Sequence, residues 1–341
     1  MSVVLYRYAS PSSSCSPPPP HSCSYDIDHV LLLKNIPHVK VNVARILPRP
    51  EITDLLGVTY RRIPVLAIWN DVYCDTSLIA SALERRFPAS QGYGTLFPNR
   101  KNGGSADSGL IKAFAKHWAD TVVFNLGPAL IAWERLPAAF IRDRSALLGR
   151  PIDVDAMVAS RGNSLSLLST HMSLIEEQLF DGREWLFDTE HPSLADISVH
   201  FVFSWIKSFH GVDSLFDAKT FPRMLEWLAR LTAYLERLKQ RQPAVPVIKG
   251  NDAAMKIVAA PFEPYDVVGF DEREASRLGL KADDQVSVAP DDGRHFPTVG
   301  KLVALNREEF VIETKGSAGL VRCHFPRIGF TAKPVSVKAK L

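Results

Sequence analysis

Between Tyr60 and Ser77 the chain reads YRRIPVLAIWNDVYCDTS, and this stretch narrows the folds open to it more than any other. An Ile63-Pro64 bond opens the apolar run Val65-Leu66, and the acid-hydroxyl cluster Asp75-Thr76-Ser77 follows the next β-prone run. Proline donates nothing to a β-ladder, and an X-Pro bond opening an interior strand is often cis, so the backbone of Ile63 is left to pair with a ligand. Where Asp75-Thr76-Ser77 opens a helix, its free N–H groups and hydroxyls can receive a carboxylate. Backbone pairing plus carboxylate capture is what a bound tripeptide requires.

The flanking elements follow from periodicity. Val3-Val4-Leu5-Tyr6-Arg7-Tyr8 is β-prone, and Ser10 to Ser24 is a Pro/Ser-rich segment that neither helix nor sheet can absorb. Ile27, Val30, Leu31 and Lys34 then fall on successive helical turns, with Ser24 or Asp26 as cap, and His38 to Val43 alternates as a second strand. Pro48 and Pro50 precede a short helix over Glu51 to Leu56 that Gly57 ends. Val65 to Trp69 and Asp71 to Cys74 make a hairpin turned at Asn70-Asp71, followed by a helix from Ser77 to Phe87. This order, βαβ then ββα, is thioredoxin-like.

A Gly/Ser/Asn/Pro-rich linker spans Ala89 to Ser108, and Leu110 to Arg241 is patterned as helix throughout. One helical face carries Phe114, His117 and Trp118. Ser193 and Asp196 form a capping box before an apolar run, which makes Asp196 structural. Trp185, Phe187, Phe201, Phe203, Trp205 and Phe209 read as core aromatics or as the lining of an apolar cleft. From Lys256 the runs Gln285 to Ala289, Gly300 to Leu305, Glu309 to Thr314 and Leu320 to Phe325 alternate with turn residues, as in a small barrel or sandwich.

Leu47-Pro48-Arg49-Pro50, then Tyr60-Arg61-Arg62-Ile63-Pro64-Val65-Leu66, then Asp71-Val72-Tyr73-Cys74-Asp75-Thr76-Ser77 resemble the N-terminal domain of glutathione S-transferases, and within them a fungal branch with an additional C-terminal domain. The resemblance implies a thioredoxin-like glutathione-binding domain over residues 1–88, an all-helical transferase domain over 107–241 that supplies an electrophile pocket, and a small β-rich accessory domain over 256–334. It also implies glutathione as co-substrate, a small apolar electrophile as its partner, and a homodimer. By that resemblance Ile63, before a cis Pro64, pairs with the cysteinyl backbone of glutathione, and Thr76 and Ser77 hold the γ-glutamyl group beside Asp75. Thr76 departs from the Glu or Gln usual there. In the family the first strand passes almost directly into the first helix, and the residue at that junction activates the thiol. Here a Pro/Ser-rich insert near residues 12–23 separates the two, about a dozen residues longer than the family pattern. The insert reads as a tolerated surface loop, a mis-assigned splice junction, or a lid. Candidates for thiol activation are Ser10, whose Ser10-Pro11 looks like the family's corner, and Cys23, Ser24 and Tyr25 before the helix. A cysteine at Cys23 favours mixed-disulfide and reductase chemistry. The competing functions are a binding or regulatory protein that keeps the fold without turnover, and a Cys-type glutathione-dependent reductase.

Composition narrows the alternatives. With 40 basic against 37 acidic residues and a formal charge of +3, the chain has no field suited to nucleic acid. Arg61 and Arg62 could attract an anionic tripeptide or be exposed arginines with no specific role. Four cysteines, Cys15, Cys23, Cys74 and Cys323, form no disulfide framework, which points to a reducing, intracellular setting. No apolar run nears the ~18 residues of a membrane span, implying a soluble protein. Cys15, His21 and Cys23 lack the second ligand pair of a metal site, and no G-x-S-x-G elbow of a hydrolase occurs. The terminal Ala339-Lys340-Leu341 resembles the Ser-Lys-Leu signal read by the peroxisomal import receptor, so the location expected is cytoplasmic or peroxisomal.

Overall fold

The computed structural model describes residues 2–9, 24–293 and 296–335, with the side chains of Ser24 and Tyr25 outside the description. Strand β1 (Val3–Tyr8) pairs in parallel with β2 (Val39–Val43) and antiparallel with β3 (Val65–Ile68), which pairs with β4 (Asp71–Cys74). Helix α1 (Ser24–Leu33) makes the β1–β2 crossover, α2 (Pro50–Leu56) leads towards β3, and α3 (Thr76–Arg86) follows β4. The alternation of β1 separates two cores, because successive side chains point to opposite faces. Val3 and Leu5 join the core shared with α1, α3 and the helical region, whereas Val4 and Tyr6 join a second core.

The β3–β4 turn consists of Trp69 and Asn70, one position earlier than the sequence suggests, with Trp69 at φ 57° and Ile68 opposite Asp71. Asp71 belongs to the strand through its pairing with Ile68, and its buried carboxylate accepts from the Glu263 N–H at 2.7 Å. Gly57 ends α2 at φ 72°, and a Cβ there would lie 2.8 Å from the carbonyl of Lys315. Both the dihedral and the close approach require glycine.

The C-terminal strands continue the N-terminal sheet. β5 (Gln285–Pro290), β6 (Thr298–Leu305), β7 (Glu309–Lys315) and β8 (Leu320–Pro326) form an antiparallel meander, and β9 (Phe330–Pro334), which periodicity did not reveal, pairs with β5. β8 gives its other edge to β4 in parallel, producing one nine-stranded sheet of order β2-β1-β3-β4-β8-β7-β6-β5-β9. The short link from Pro326 to Phe330 spans at most ~14 Å, whereas four strand spacings in a flat sheet need ~19 Å. The meander therefore curls, and the Phe325 and Phe330 rings meet at 5.9 Å with Tyr60 against both.

On the opposite face the chain is helical. α4 (Ser108–Ala113) runs into a π-wound helix, Phe114–Val123. Ile111 of α4 and Ala115, Ala119 and Val123 of this helix are in the core, while Phe114 and Trp118 are half-buried and His117 is exposed. The buried face is therefore not the Phe114/His117/Trp118 face read from the sequence. The helix Leu194–Lys207 is buried on nearly every side and opens on the expected capping box. Asp196 also accepts from the Leu186 N–H at 2.9 Å and the Trp227 indole at 3.1 Å, which fixes it as an architectural group. Trp185, Phe203 and Trp205 are core residues, and Phe187 and Phe209 pack at its edge. The 89–108 segment is docked: the Gly94 N–H bonds the Lys34 carbonyl, and the buried Lys34 ammonium reaches Glu84 and the Gly94 carbonyl. Among the described residues no helix is long and apolar enough to cross a membrane.

Candidate active site

The start of α3 is shaped by Asp75, which stands at φ 74° as N-cap. Its Oδ1 accepts from the Ser77 N–H at 3.1 Å and the Ser77 hydroxyl at 2.6 Å, so the helix-opening donors at Ser77 are satisfied within the chain. The Lys116 ammonium, from the π-wound helix, lies 3.1 Å from both Asp75 oxygens and 3.1 Å from Asp120. Partial burial would lower the Lys116 pKa, but the two carboxylates outweigh it and hold the ammonium above its ordinary value.

These groups stand at one end of a cleft of about 430 Å³ between α3, the Phe114–Val123 helix and the Leu194–Lys207 helix. Thr76 and Ser77 line it, Leu78, Phe124, Phe201 and Val202 make an apolar wall, and Asp26 of α1 faces in from below. Ile328, from the β8–β9 connection, and Arg307 and Glu308, from the β6–β7 turn, form part of the rim, and Glu308 is tied to Lys112 at 2.9 Å. The C-terminal strands thus bring side chains to the same cleft as the N-terminal half.

Asp26 lies in the first turn of α1 and not at its cap, because the helix already begins at Ser24. The residue is only 6% exposed, and its Oδ1 has no hydrogen-bond partner among the described residues. Burial, reinforced by the charge of Asp120, pushes its pKa up to about 7. Asp120, half-exposed at the cleft, is also raised, by desolvation and by Asp75 against the pull of Lys116.

The remaining sequence candidates are distributed differently. The Ile63-Pro64 peptide is cis as anticipated, but both residues are buried, Ile63 in the second core, and neither lines the cleft. Arg61 and Arg62 are both ion-paired: Arg61 is buried against Asp143 at 2.6 Å and lies over the Phe296 ring, and Arg62 pairs with Asp292 at a partly exposed position. Both arginines are spent tying the approach to β3 to neighbouring segments. Ser10 and Cys23, together with Cys15, His21, the rest of the insert and the Ala339-Lys340-Leu341 tail, lie outside the described residues; Ser24 and Tyr25 are placed only as backbone opening α1. Lys116 and Asp120 went unnoticed in the sequence, where their i, i+4 spacing was the available signal.

A solved structure described as a GST-like protein from Pseudomonas syringae superposes with a TM-score of 0.68 at 25% identity, covering 98% of this chain and 99% of that one. The chain has the glutathione S-transferase-like fold. That full-length superposition includes the C-terminal strands. The glutathione S-transferase CsGST63524 of Ceriporiopsis subvermispora, solved in complex with glutathione, superposes with a TM-score of 0.52 at 18% identity over 72% of this chain and 98% of its own. A family model described as "Domain of unknown function (DUF7962)" matches residues 129–240, within the helical region. No curated protein matches the sequence.

Proposed function

We propose that the protein is a glutathione-dependent transferase that joins glutathione to a small apolar electrophile in the cleft beside Thr76 and Ser77. The observation that carries this reading is the composition of that cleft: hydroxyls and an ammonium at the start of α3, and an apolar wall from the helical region facing them. The γ-glutamyl carboxylate would be received at Thr76 and Ser77, with Lys116 supplying positive charge next to them. Because Asp75 already occupies the Ser77 donors, the ligand carboxylate competes with an internal one for Ser77, and the hydroxyl of Thr76 gains weight. The resemblance assigns the cysteinyl backbone to Ile63, which is buried and does not line the cleft, so the cleft itself supports the reading through the γ-glutamyl end. We place the chain in a branch carrying an appended C-terminal unit; its fungal affiliation rests on the motifs between Leu47 and Ser77. Homodimer formation and peroxisomal import through Ala339-Lys340-Leu341 belong to the same proposal, to be checked by sedimentation and by imaging a chain truncated before Ala339.

The direct test is calorimetry with glutathione. Wild-type protein should bind, and Ser77→Ala should weaken binding by about 1 to 2 kcal/mol, the scale of a hydrogen bond to a charged group. Equal affinity in both proteins would remove Ser77 from the site. Absence of binding to the wild type would overturn the reading and favour a fold retained for another purpose.

A further inference from the structure

Resting on that reading, we infer that Asp26 is the proton acceptor of the cleft, taking the proton of the bound thiol as its sulfur attacks the electrophile. Three observations converge on it. The carboxyl belongs to the first turn of α1, where the helix N-terminus favours an anion. It faces the cleft that Thr76 and Ser77 also line, so a peptide thiol anchored by its carboxylate at α3 extends through the same space. Its Oδ1 is buried without a hydrogen-bond partner among the described residues, whereas the likewise buried carboxylate of Asp196 accepts four hydrogen bonds. A buried acceptor left unsatisfied costs stability unless something outside the fold uses it.

The chemistry is balanced within the named reactants. The S–H bond of the thiol breaks, its proton passes to Asp26, and the sulfur electron pair forms the new bond to the electrophilic carbon. The leaving group departs with the electrons of its former bond, and Asp26 then returns the proton to solvent. A carboxyl that titrates near neutrality is matched to this task, since a base works best when its pKa lies close to the working pH. The charged and titratable groups around it are Lys116, His117 and Asp120 on the Phe114–Val123 helix, Asp75 at the cap of α3, Asp28 and His29 on α1, and Lys112, Arg307 and Glu308 towards the rim. Asp120 is the neighbour whose charge raises Asp26.

The test uses the full chain and three proteins: wild type, Asp26→Asn and Asp120→Asn. Glutathione affinity is measured by calorimetry, and kcat/KM with an aromatic electrophile is followed across pH. Asp26→Asn should bind glutathione within about twofold of wild type while kcat/KM falls about 100-fold, the low end for a lost general base. The acid limb of the wild-type profile near neutrality should vanish. Asp120→Asn should keep that limb and move it to lower pH, because the charge that raises Asp26 is gone; a purely structural role for Asp26 would not move it. Partial recovery in Asp26→Glu would support the assignment. If glutathione binds and Asp26→Asn keeps both rate and limb, the inference is overturned while the transferase reading stands. If wild type binds no glutathione, both fall together.

Discussion

A carboxyl group raised from 3.8 to about 7 couples the stability of the fold to pH. Between those values folded Asp26 holds a proton that the unfolded chain has released, so its share of stability is complete below about pH 4 and is lost as pH rises through about 7. Three units correspond to roughly 4 kcal/mol as an upper bound. Asp26→Asn removes the titration, and its urea stability should match wild type near pH 4 and exceed it at about pH 8. Parallel stability profiles for the two proteins would show that the unfolded and folded carboxyls titrate alike. The same residue then exchanges stability for chemistry: a buried Oδ1 with no partner among the described residues weakens the fold at alkaline pH and can take a proton from a ligand. Ser77 illustrates the opposite arrangement, since Asp75 satisfies it internally.

At the scale of elements, the decisive contact is the parallel seam between β4 and β8. His324 on β8 places Nδ1 2.7 Å from Glu309 and Nε2 3.1 Å from Asp71, both buried. Two carboxylate acceptors on the two ring nitrogens call for two N–H donors, which is the imidazolium form. Burial alone would lower the His324 pKa, but Asp71 and Glu309 outweigh it and raise it. Burial would raise Asp71 and Glu309, yet His324, with Arg86 and Arg85 respectively, lowers both. The histidine contribution is therefore complete below its unfolded pKa of about 6.5 and lost as pH rises through its folded value. The carboxylate contributions are present above about pH 4 and lost as pH falls through their folded values. The seam is strongest between those limits. His324→Ala should cost about 3 to 5 kcal/mol at about pH 5.5, because it strands two buried carboxylates, and less at alkaline pH. Chemical denaturation at the two pH values measures the difference, and an equal loss at both would mean that the ring is neutral. Cys74 and Cys323 flank the same seam with their sulfurs 3.8 Å apart, and burial pushes the Cys74 thiol up, which keeps it unreactive.

For the molecule as a whole, continuity of the sheet means that the C-terminal segment is part of the core. All four residues of β4 are buried, and its outer edge is covered by β8. Leu302, Phe310, Ile312 and Phe325 pack in the same core as Val4, Tyr6 and Val65. A chain ending at Lys249 would expose this apolar face and a strand edge with unpaired backbone groups, a template for aggregation. It should express as insoluble or loosely packed protein, losing the near-ultraviolet circular dichroism and cooperative melting of the full chain. A monodisperse, cooperatively melting truncation would show that the N-terminal and helical regions stand without the strands. The rim supplied by Arg307, Glu308 and Ile328 connects that architecture to the cleft.

The sequence by itself determined the local elements. β1, β2, the β3–β4 hairpin, the α3 start at Asp75-Thr76-Ser77 and the Ser193/Asp196 capping box follow from alternation, turn residues and side-chain capping, all of which act over a few neighbouring residues. The resemblance carried by Leu47 to Ser77 added the thioredoxin-like order and, through it, the expected ligand. What only the tertiary structure decided depends on residues distant in the chain. Arg61 and Arg62 look free in sequence but are ion-paired with Asp143 and Asp292. Asp26 looks like a cap, yet packing buries it in the cleft, and Lys116, from a helix some forty residues on in the chain, reaches Asp75. β8 pairs with β4 across some 250 residues of chain, a register that no local pattern encodes because strand edges are alike until the cores on either side choose between them.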